Sequence, residues 1–168
     1  MRETAPAAAA DRVQKHIEAL ADKKRRERAK SYLIRYYSER GRDALETAVR
    51  NHSDPMVRAQ LTYVVARIGG EWGYRMLHTL LNDPAEEVRY DAATFHRFFP
   101  TESTARALRD YIEGVADADT AKAAAFHALK AIGEPARAVL EELARHPNAQ
   151  TVEYARFNLT LRTDEDEG

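Results

Sequence analysis

Apolar residues recur along most of the chain at intervals of three and four positions, the spacing that places them on one face of an α-helix. Residues 57–69 show this pattern most clearly, with apolar side chains at Val57, Leu61, Val65 and Ile68 before Gly69. No segment shows the alternation of apolar and polar residues that is typical of a half-buried β-strand. The pattern therefore predicts a protein built from helices.

The same helical pattern returns about every thirty residues. Aligned copies begin at Ala29, Val57, Val88, Ala121 and Thr151, so successive starts are 28, 31, 33 and 30 residues apart. In four of the five copies the second position is Lys or Arg. A period of this length is typical of a repeated helix–turn–helix unit.

Shorter amphipathic segments lie between these copies and supply a partner for each. They span residues 7–22, 42–51, 71–82, 101–114 and 134–146. We therefore predict ten helices in five antiparallel pairs that form one domain over residues 1–162. The predicted repeats lie near residues 5–40, 41–69, 70–99, 100–132 and 133–162, and the acidic tail at 163–168 is predicted to be disordered.

Helix-end signals agree with this division. The Asp-Pro pairs at 54–55 and 83–84 each offer an N-cap followed by a proline at the first helical position. Gly41, Gly69 and Gly133 follow apolar runs, where a helix C-terminus needs a left-handed residue.

Composition excludes several classes of function. The chain of 168 residues has no cysteine, so disulfides, thiolate metal sites and cysteine nucleophiles are excluded. No two of its six histidines are four residues apart, and phosphate-loop, dinucleotide and serine-hydrolase motifs are missing. We predict no cofactor, no metal site, no catalytic residue, no membrane span and a cytoplasmic location.

The Asp-Pro, Val-Arg and Ile-Gly elements resemble the short HEAT repeats of bacteria and archaea that are called PBS-lyase-like HEAT repeats. The resemblance covers residues 25–162, and its first and last units match the pattern poorly. The residues that carry it are Asp54, Pro55, Val57, Arg58, Ile68 and Gly69 in one copy, Asp83, Pro84, Val88 and Arg89 in the next, and Ile132, Gly133 and Pro135 further on.

The resemblance implies an all-α, right-handed α-solenoid of about five helix pairs, with first helices on the convex side and second helices on the concave side. It also implies a ladder of polar contacts between neighbouring repeats. The predicted ladder residues are Asp54, Arg58, Asp83, Arg89 and Lys122.

Enzymatic alternatives find little support among the residues. The di-iron hydroxylases of similar architecture depend on His-Glu dipeptides, and this sequence has none. The HEAT-like DNA glycosylases use a concave aspartate with aromatic residues, for which Asp91 and Trp72 are poor matches. A shared repeat does not by itself imply lyase activity. We therefore expect that the protein is not an enzyme.

The concave positions outside the core are aromatic and basic, in contrast with the net charge of −1 of the whole chain. Arginine and aromatic residues dominate the binding energy of interfaces. We predict an interaction scaffold or adaptor that holds a protein partner, by an acidic or helical segment, in its concave groove. The predicted groove residues are Arg35, Tyr63, Arg67, Tyr90, Arg97, His127, Lys130 and Phe157.

A second candidate contact is the basic run at residues 23–30, with Lys23, Lys24, Arg25, Arg26 and Arg28. Such a run is typical of a nucleic-acid contact and equally of the solvated face of a terminal repeat. Nucleic-acid binding through this run and the groove is therefore the alternative function. The sequence leaves the partner's identity and the oligomeric state open.

Overall fold

The computed structural model describes residues 5–36 and 39–160, which form ten α-helices and no β-strand. The all-helical prediction is thereby confirmed. The helices are α1 (Ala5–Glu18), α2 (Arg26–Tyr36), α3 (Glu39–Asn51), α4 (Pro55–Ile68), α5 (Gly70–Leu80), α6 (Glu86–Phe95), α7 (Glu102–Gly114), α8 (Thr120–Ile132), α9 (Arg137–Leu143) and α10 (Ala149–Thr160). Short 3₁₀ turns follow α6 at His96–Phe98 and precede α9 at Glu134–Ala136.

The chain divides into two compact units at Val88–Arg89, within α6. The five predicted second helices correspond to α2, α4, α6, α8 and α10. Each begins one to three residues before the aligned starts, because the capping turn precedes the first buried residue. The predicted tail at 163–168 lies outside the described residues.

Unit 1 (Met1–Val88) stacks its helices in two layers. Sequential helices contact each other in the pairs α1–α2, α3–α4 and α4–α5. Odd-numbered helices also pack on odd-numbered ones, since α1 contacts α3 and α3 contacts α5, while α2 packs on α4. The side chains that fill the space between the layers include Ile17, Leu33, Leu45, Leu61 and Leu77, all fully buried.

Unit 2 (Arg89–Gly168) repeats this arrangement. The helix pairs α7–α8 and α9–α10 pack internally, α7 contacts α9, and α8 contacts α10. Leu108, Ile112, Phe126 and Leu129 are fully buried in its core. Burial of such side chains stabilises the folded state by about 1.5–3 kcal/mol each before entropic costs.

Capping residues explain most helix ends and correct two expectations. Asp54 caps α4 by accepting a hydrogen bond from the Met56 backbone N–H at 2.8 Å, and Gly69 ends α4 with a φ of 74°. Gly133 ends α8 with a φ of 85°. Asp83 accepts from the Ala85 N–H, but α6 begins only at Glu86, so Pro84 is not its first residue.

Gly41 does not end a helix as predicted, because it lies within α3. A Cβ atom at this position would lie 2.9 Å from the Val13 Cγ2 atom of α1. The glycine is therefore explained by the close approach of α1 and α3, not by a left-handed backbone.

Candidate functional site

A cleft of about 1010 Å³ opens in unit 1 between α1, α2 and α4. We call it the arginine–tyrosine cleft. Its lining contains four arginines, three tyrosines and a histidine, and none of its ten residues is acidic. The lining residues are Arg12, His16, Arg28, Ser31, Tyr32, Ile34, Arg35, Tyr36, Tyr63 and Arg67.

Helical spacing places an arginine beside a ring on each of the three helices. On α1 the pair is Arg12 and His16, and on α4 it is Tyr63 and Arg67, each four residues apart. On α2, Arg28 precedes Tyr32 by the same interval. Residues four apart lie one above the other on the same helix face, so each pair points into the same region of the cleft.

The four arginines of the cleft are exposed and lack an internal counter-charge. Among the side chains that the structure describes, Arg12, Arg28, Arg35 and Arg67 have no hydrogen-bond or ion-pair partner. Arg25, Arg50 and Arg58 of unit 1, in contrast, each pair with an acidic residue. The cleft thus concentrates positive charge that no described side chain pairs with, and a bound anion would neutralise it.

The rings in the cleft form a row. The His16 and Tyr32 ring centroids are 3.7 Å apart, and those of Tyr32 and Tyr36 are 4.9 Å apart. Tyr63 lies under the Lys30 ammonium group, whose Nζ is 5.2 Å from the ring centroid. The cleft therefore offers both cations and aromatic surface.

His16 is a titratable side chain of the cleft, and positively charged residues surround it. Burial lowers the pKa of its imidazole below the ordinary value, and the neighbouring charges of Lys15 and Arg28 lower it further. The imidazole is therefore neutral at pH 7. An anion in the cleft would oppose both charges and favour its protonation.

Three of the predicted groove residues meet in this cleft, namely Arg35, Tyr63 and Arg67. The other five belong to unit 2. Tyr90 is exposed on α6, and Arg97 lies in the following 3₁₀ turn with its guanidinium 5.5 Å from the Phe98 ring centroid. His127 and Phe157 are exposed on α8 and α10, and Lys130 is half-buried on α8.

The basic residues of the run at 23–30 make different contacts. Lys23 and Lys24 are exposed in the turn before α2, and Arg25 pairs with Asp22 at 2.6 Å. Arg26 donates to the carbonyl oxygens of Leu20 and Ala21, which holds the α1–α2 turn. Arg28 alone of the five lines the arginine–tyrosine cleft.

The sequence prediction missed Arg12, His16, Tyr32 and Tyr36. It took groove residues only from second helices, but α1, the first helix of its pair, also lines the cleft. Tyr32 and Tyr36 are four residues apart on α2, as are Arg28 and Tyr32. This interval was the sequence signal that could have identified them.

Ion pairs join neighbouring repeats in unit 1. Arg58 donates from Nε and Nη2 to the two carboxylate oxygens of Asp83, at 2.7 and 2.8 Å. Its Nη1 donates to the carbonyl oxygen of His52. Both charged side chains are buried, and the hydrogen bond that Arg58 donates to Asp83 is the main cause that raises the pKa of Arg58.

A similar contact in unit 2 joins Arg89 to Asp119. The Asp119 Oδ2 atom accepts from Nη2 of Arg89 at 2.7 Å and from Nε at 3.1 Å. Asp119 also caps α8 by accepting from the Ala121 N–H. This aspartate was not predicted, because no proline follows it and the Asp-Pro signal is lost.

The remaining ladder residues make other contacts. Lys122 donates to Asp117 at 2.6 Å. Asp117 also accepts a hydrogen bond from Asn148, and this second bond links Asp117 to the next repeat. These two donors, Lys122 first, lower the pKa of the Asp117 carboxyl. Asp54 caps α4, and Lys30, which aligns with Arg58, pairs with Glu27 at 2.9 Å.

Residues 5–36 and 39–160 contain no group of three or more histidine, aspartate or glutamate side chains that could hold a metal ion. No helix within these ranges has the length and apolar character needed to cross a membrane.

Comparison with known proteins places the chain among helical-repeat structures. No protein-family model matches it, and no curated protein matches it. The structure of the complex of CpcE and CpcF of phycocyanin lyase from Nostoc sp. PCC7120 contains a chain with a TM-score of 0.57 and 21% identity. The alignment covers 99% of this chain and 68% of that chain.

An engineered protein is also similar, with 18% identity over 94% of this chain and 83% of its own, but its TM-score of 0.45 carries no argument. The likeness to the lyase structure agrees with the predicted resemblance to PBS-lyase-like HEAT repeats at the level of the fold.

One expectation is corrected by the comparison. We expected that the protein is not an enzyme, because its sequence has no catalytic motif. This expectation is wrong, since the similar structure belongs to a phycocyanin lyase. The absence of a known motif excludes only the chemistries that those motifs represent.

Proposed function

We propose that the protein binds an acidic segment of a partner protein in the arginine–tyrosine cleft. The observation that supports this proposal is the lining itself, with four arginines, three tyrosines and no acidic residue. A guanidinium group and a carboxylate form two parallel hydrogen bonds, which gives both affinity and orientation. Tyrosine adds large contact area at low cost in conformational entropy.

Electrostatic complementarity is the second support. Four arginines without partners among the described side chains repel one another, and a bound polyanion relieves that repulsion. Such complementarity increases association rates and suppresses wrong partners. The fold is also compatible with a protein partner, since CpcE and CpcF are found in a complex.

The test is a charge reversal at two cleft residues, Arg35→Glu with Arg67→Glu. Tagged protein is incubated with an extract of the native organism, and captured proteins are identified by mass spectrometry. A partner with an acidic segment should be retained by the wild type and lost by the double variant. Direct titration of the purified partner should then show an affinity loss of at least 100-fold, or about 2.7 kcal/mol.

The matched control is Arg75→Glu, an exposed arginine of unit 1 on α5 that does not line the cleft. It should retain the partner, and all variants should keep the helical circular-dichroism spectrum. Retention of the partner by the double variant would refute the proposal. The intact mass of the captured partner shows whether it is only held or also covalently changed.

Single-stranded nucleic acid is a second candidate, favoured by the combination of cations with stacking rings in one cleft. The exposed Lys23 and Lys24 would extend its positive surface. Phosphate contacts produce a steep loss of affinity with added salt. Titration of a labelled 12-nucleotide oligomer at about 50 and 200 mM salt tests this candidate, and no binding at low salt would exclude it.

A further inference from the structure

The ring row of the arginine–tyrosine cleft ends at Tyr36. Tyr32 lies between His16, at 3.7 Å, and Tyr36, at 4.9 Å, so its ring is enclosed by two neighbours. Tyr36 is 57% exposed, and among the described residues Tyr32 is its ring contact. Among the described residues, the row therefore ends at a tyrosine with an exposed ring.

Cations lie beside this open position. Arg35 precedes Tyr36 in the last turn of α2, and both residues line the cleft. Arg28 lies seven residues before Arg35, which brings it close to the same face of the helix at a rise of about 10 Å. An aromatic group on Tyr36 would therefore have a guanidinium group within reach of a neighbouring carboxylate.

We propose that the acidic segment bound in the cleft carries an aromatic side chain, which stacks on Tyr36 while an adjacent carboxylate pairs with Arg35. This inference rests on the proposed function, because it names the kind of partner that the same cleft takes. It adds that the bound segment needs an aromatic side chain, which the positive charge of the cleft does not by itself require.

Ring geometry favours an aromatic side chain over an aliphatic one at this position. Aromatic pairs gain affinity beyond the burial of their area, because the edge of one ring complements the face of another. The row from His16 to Tyr36 already joins rings in tilted contacts, with interplanar angles of 32° and 40°. An aliphatic side chain would bury similar area but would not gain the ring–ring attraction.

The experiment uses two labelled nine-residue peptides of glutamate and aspartate, which differ only in a central phenylalanine or leucine. Each is titrated by fluorescence anisotropy against the wild type, Tyr36→Leu, and the Arg35→Glu/Arg67→Glu double variant. The wild type should prefer the phenylalanine peptide by about 3- to 10-fold, and Tyr36→Leu should lose this preference. Tyr90→Leu, an exposed tyrosine outside the cleft lining, should keep it.

The outcomes separate this inference from the proposed function. Equal binding of the two peptides by the wild type, with loss in the double variant, would overturn the aromatic requirement and leave the proposed function standing. Binding of neither peptide at low salt would overturn both. Preference for a single-stranded oligonucleotide over both peptides would also overturn both and identify a nucleic acid as the ligand.

Discussion

Units 1 and 2 have the same helix-pair architecture but opposite charge. Unit 1 contains 16 basic and 13 acidic residues, whereas unit 2 contains 10 basic and 14 acidic residues. The arginines of the cleft in unit 1 have no partner among the described side chains. In unit 2, Arg89, Arg106, Arg109 and Arg137 are paired with acidic residues, and the described arginines without an ion pair are Arg97, Arg145 and Arg156.

This difference shows which positions the repeat determines. Buried apolar residues and capping aspartates recur in both units because the packing of helix pairs requires them. Exposed positions are not constrained by this packing, and in unit 1 four of them carry arginines that line one cleft. Function therefore has to be sought where the two units differ.

The largest expected difference between the two units is in the stability that their ion pairs between repeats contribute. Arg58 and Asp83 in unit 1 are more buried, with side-chain exposures of 10% and 5%, than Arg89 and Asp119 in unit 2, with 20% and 10%. We expect Arg58→Met to lower the free energy of unfolding of unit 1 by about 3–5 kcal/mol, because it leaves a buried carboxylate without its cation. Arg89→Met should cost unit 2 about 1–3 kcal/mol.

Urea denaturation can separate the two effects, because the only tryptophan is Trp72 in unit 1. Its fluorescence reports on unit 1, while circular dichroism reports on all helices. Arg58→Met should shift the fluorescence transition to lower urea, whereas Arg89→Met should act mainly on the circular-dichroism transition. Identical shifts of both signals in both variants would show that the units unfold together.

Much of the fold could be predicted from the sequence because packing acts on every repeat. The period of about thirty residues located all five second helices, and Gly69 and Gly133 marked two helix ends as expected. Gly41 was misjudged because the contact that requires it, Val13 of α1, is distant in sequence. Local signals do not distinguish a glycine at a helix end from one at a helix crossing.

The candidate site was less predictable than the fold. Arg35, Tyr63 and Arg67 were found because they are on second helices at solvent-facing positions. Arg12 and His16 were missed because they lie on α1, a first helix, and the repeat pattern assigns groove positions only to second helices. Arg97 was placed in the groove by helical spacing, but α6 ends at Phe95 and a 3₁₀ turn follows.

Buried polar atoms distinguish the last helix of unit 2. The hydroxyl of Thr151 and the Oδ1 atom of Asn158 on α10 are buried and have no hydrogen-bond partner within residues 5–36 and 39–160. We expect Thr151→Val to raise the free energy of unfolding by about 1–2 kcal/mol, since it removes an unsatisfied hydroxyl without changing the volume.

A threonine with a satisfied hydroxyl provides the control. Thr104 is equally buried, but its hydroxyl lies 2.9 Å from that of Thr101. Thr104→Val should lower stability by about 1 kcal/mol, measured by the same urea titration. If Thr151→Val is also destabilising, an internal water molecule satisfies its hydroxyl and α10 is better packed than the direct contacts indicate.

The smallest expected effect is a pH dependence that only the cleft of unit 1 should show. His16 faces Arg12 and Lys15 on its own helix and Arg25 and Arg28 from the α2 side, and its pKa lies below the ordinary value because of burial and the charges of Lys15 and Arg28. Bound carboxylates raise that pKa, so binding takes up a proton. Because the bound state holds more protons than the free state, affinity must rise as the pH falls.

Between about pH 8 and pH 6, where glutamate and aspartate stay ionised, the phenylalanine peptide should bind about 2- to 5-fold more tightly at the lower pH. Calorimetry in two buffers with different ionisation enthalpies should reveal the proton uptake directly. His16→Asn should bind with little dependence on pH, while His127→Asn, an exposed histidine of unit 2, should behave as the wild type. A pH dependence that survives His16→Asn would assign the proton to another group and remove the imidazole from the binding site.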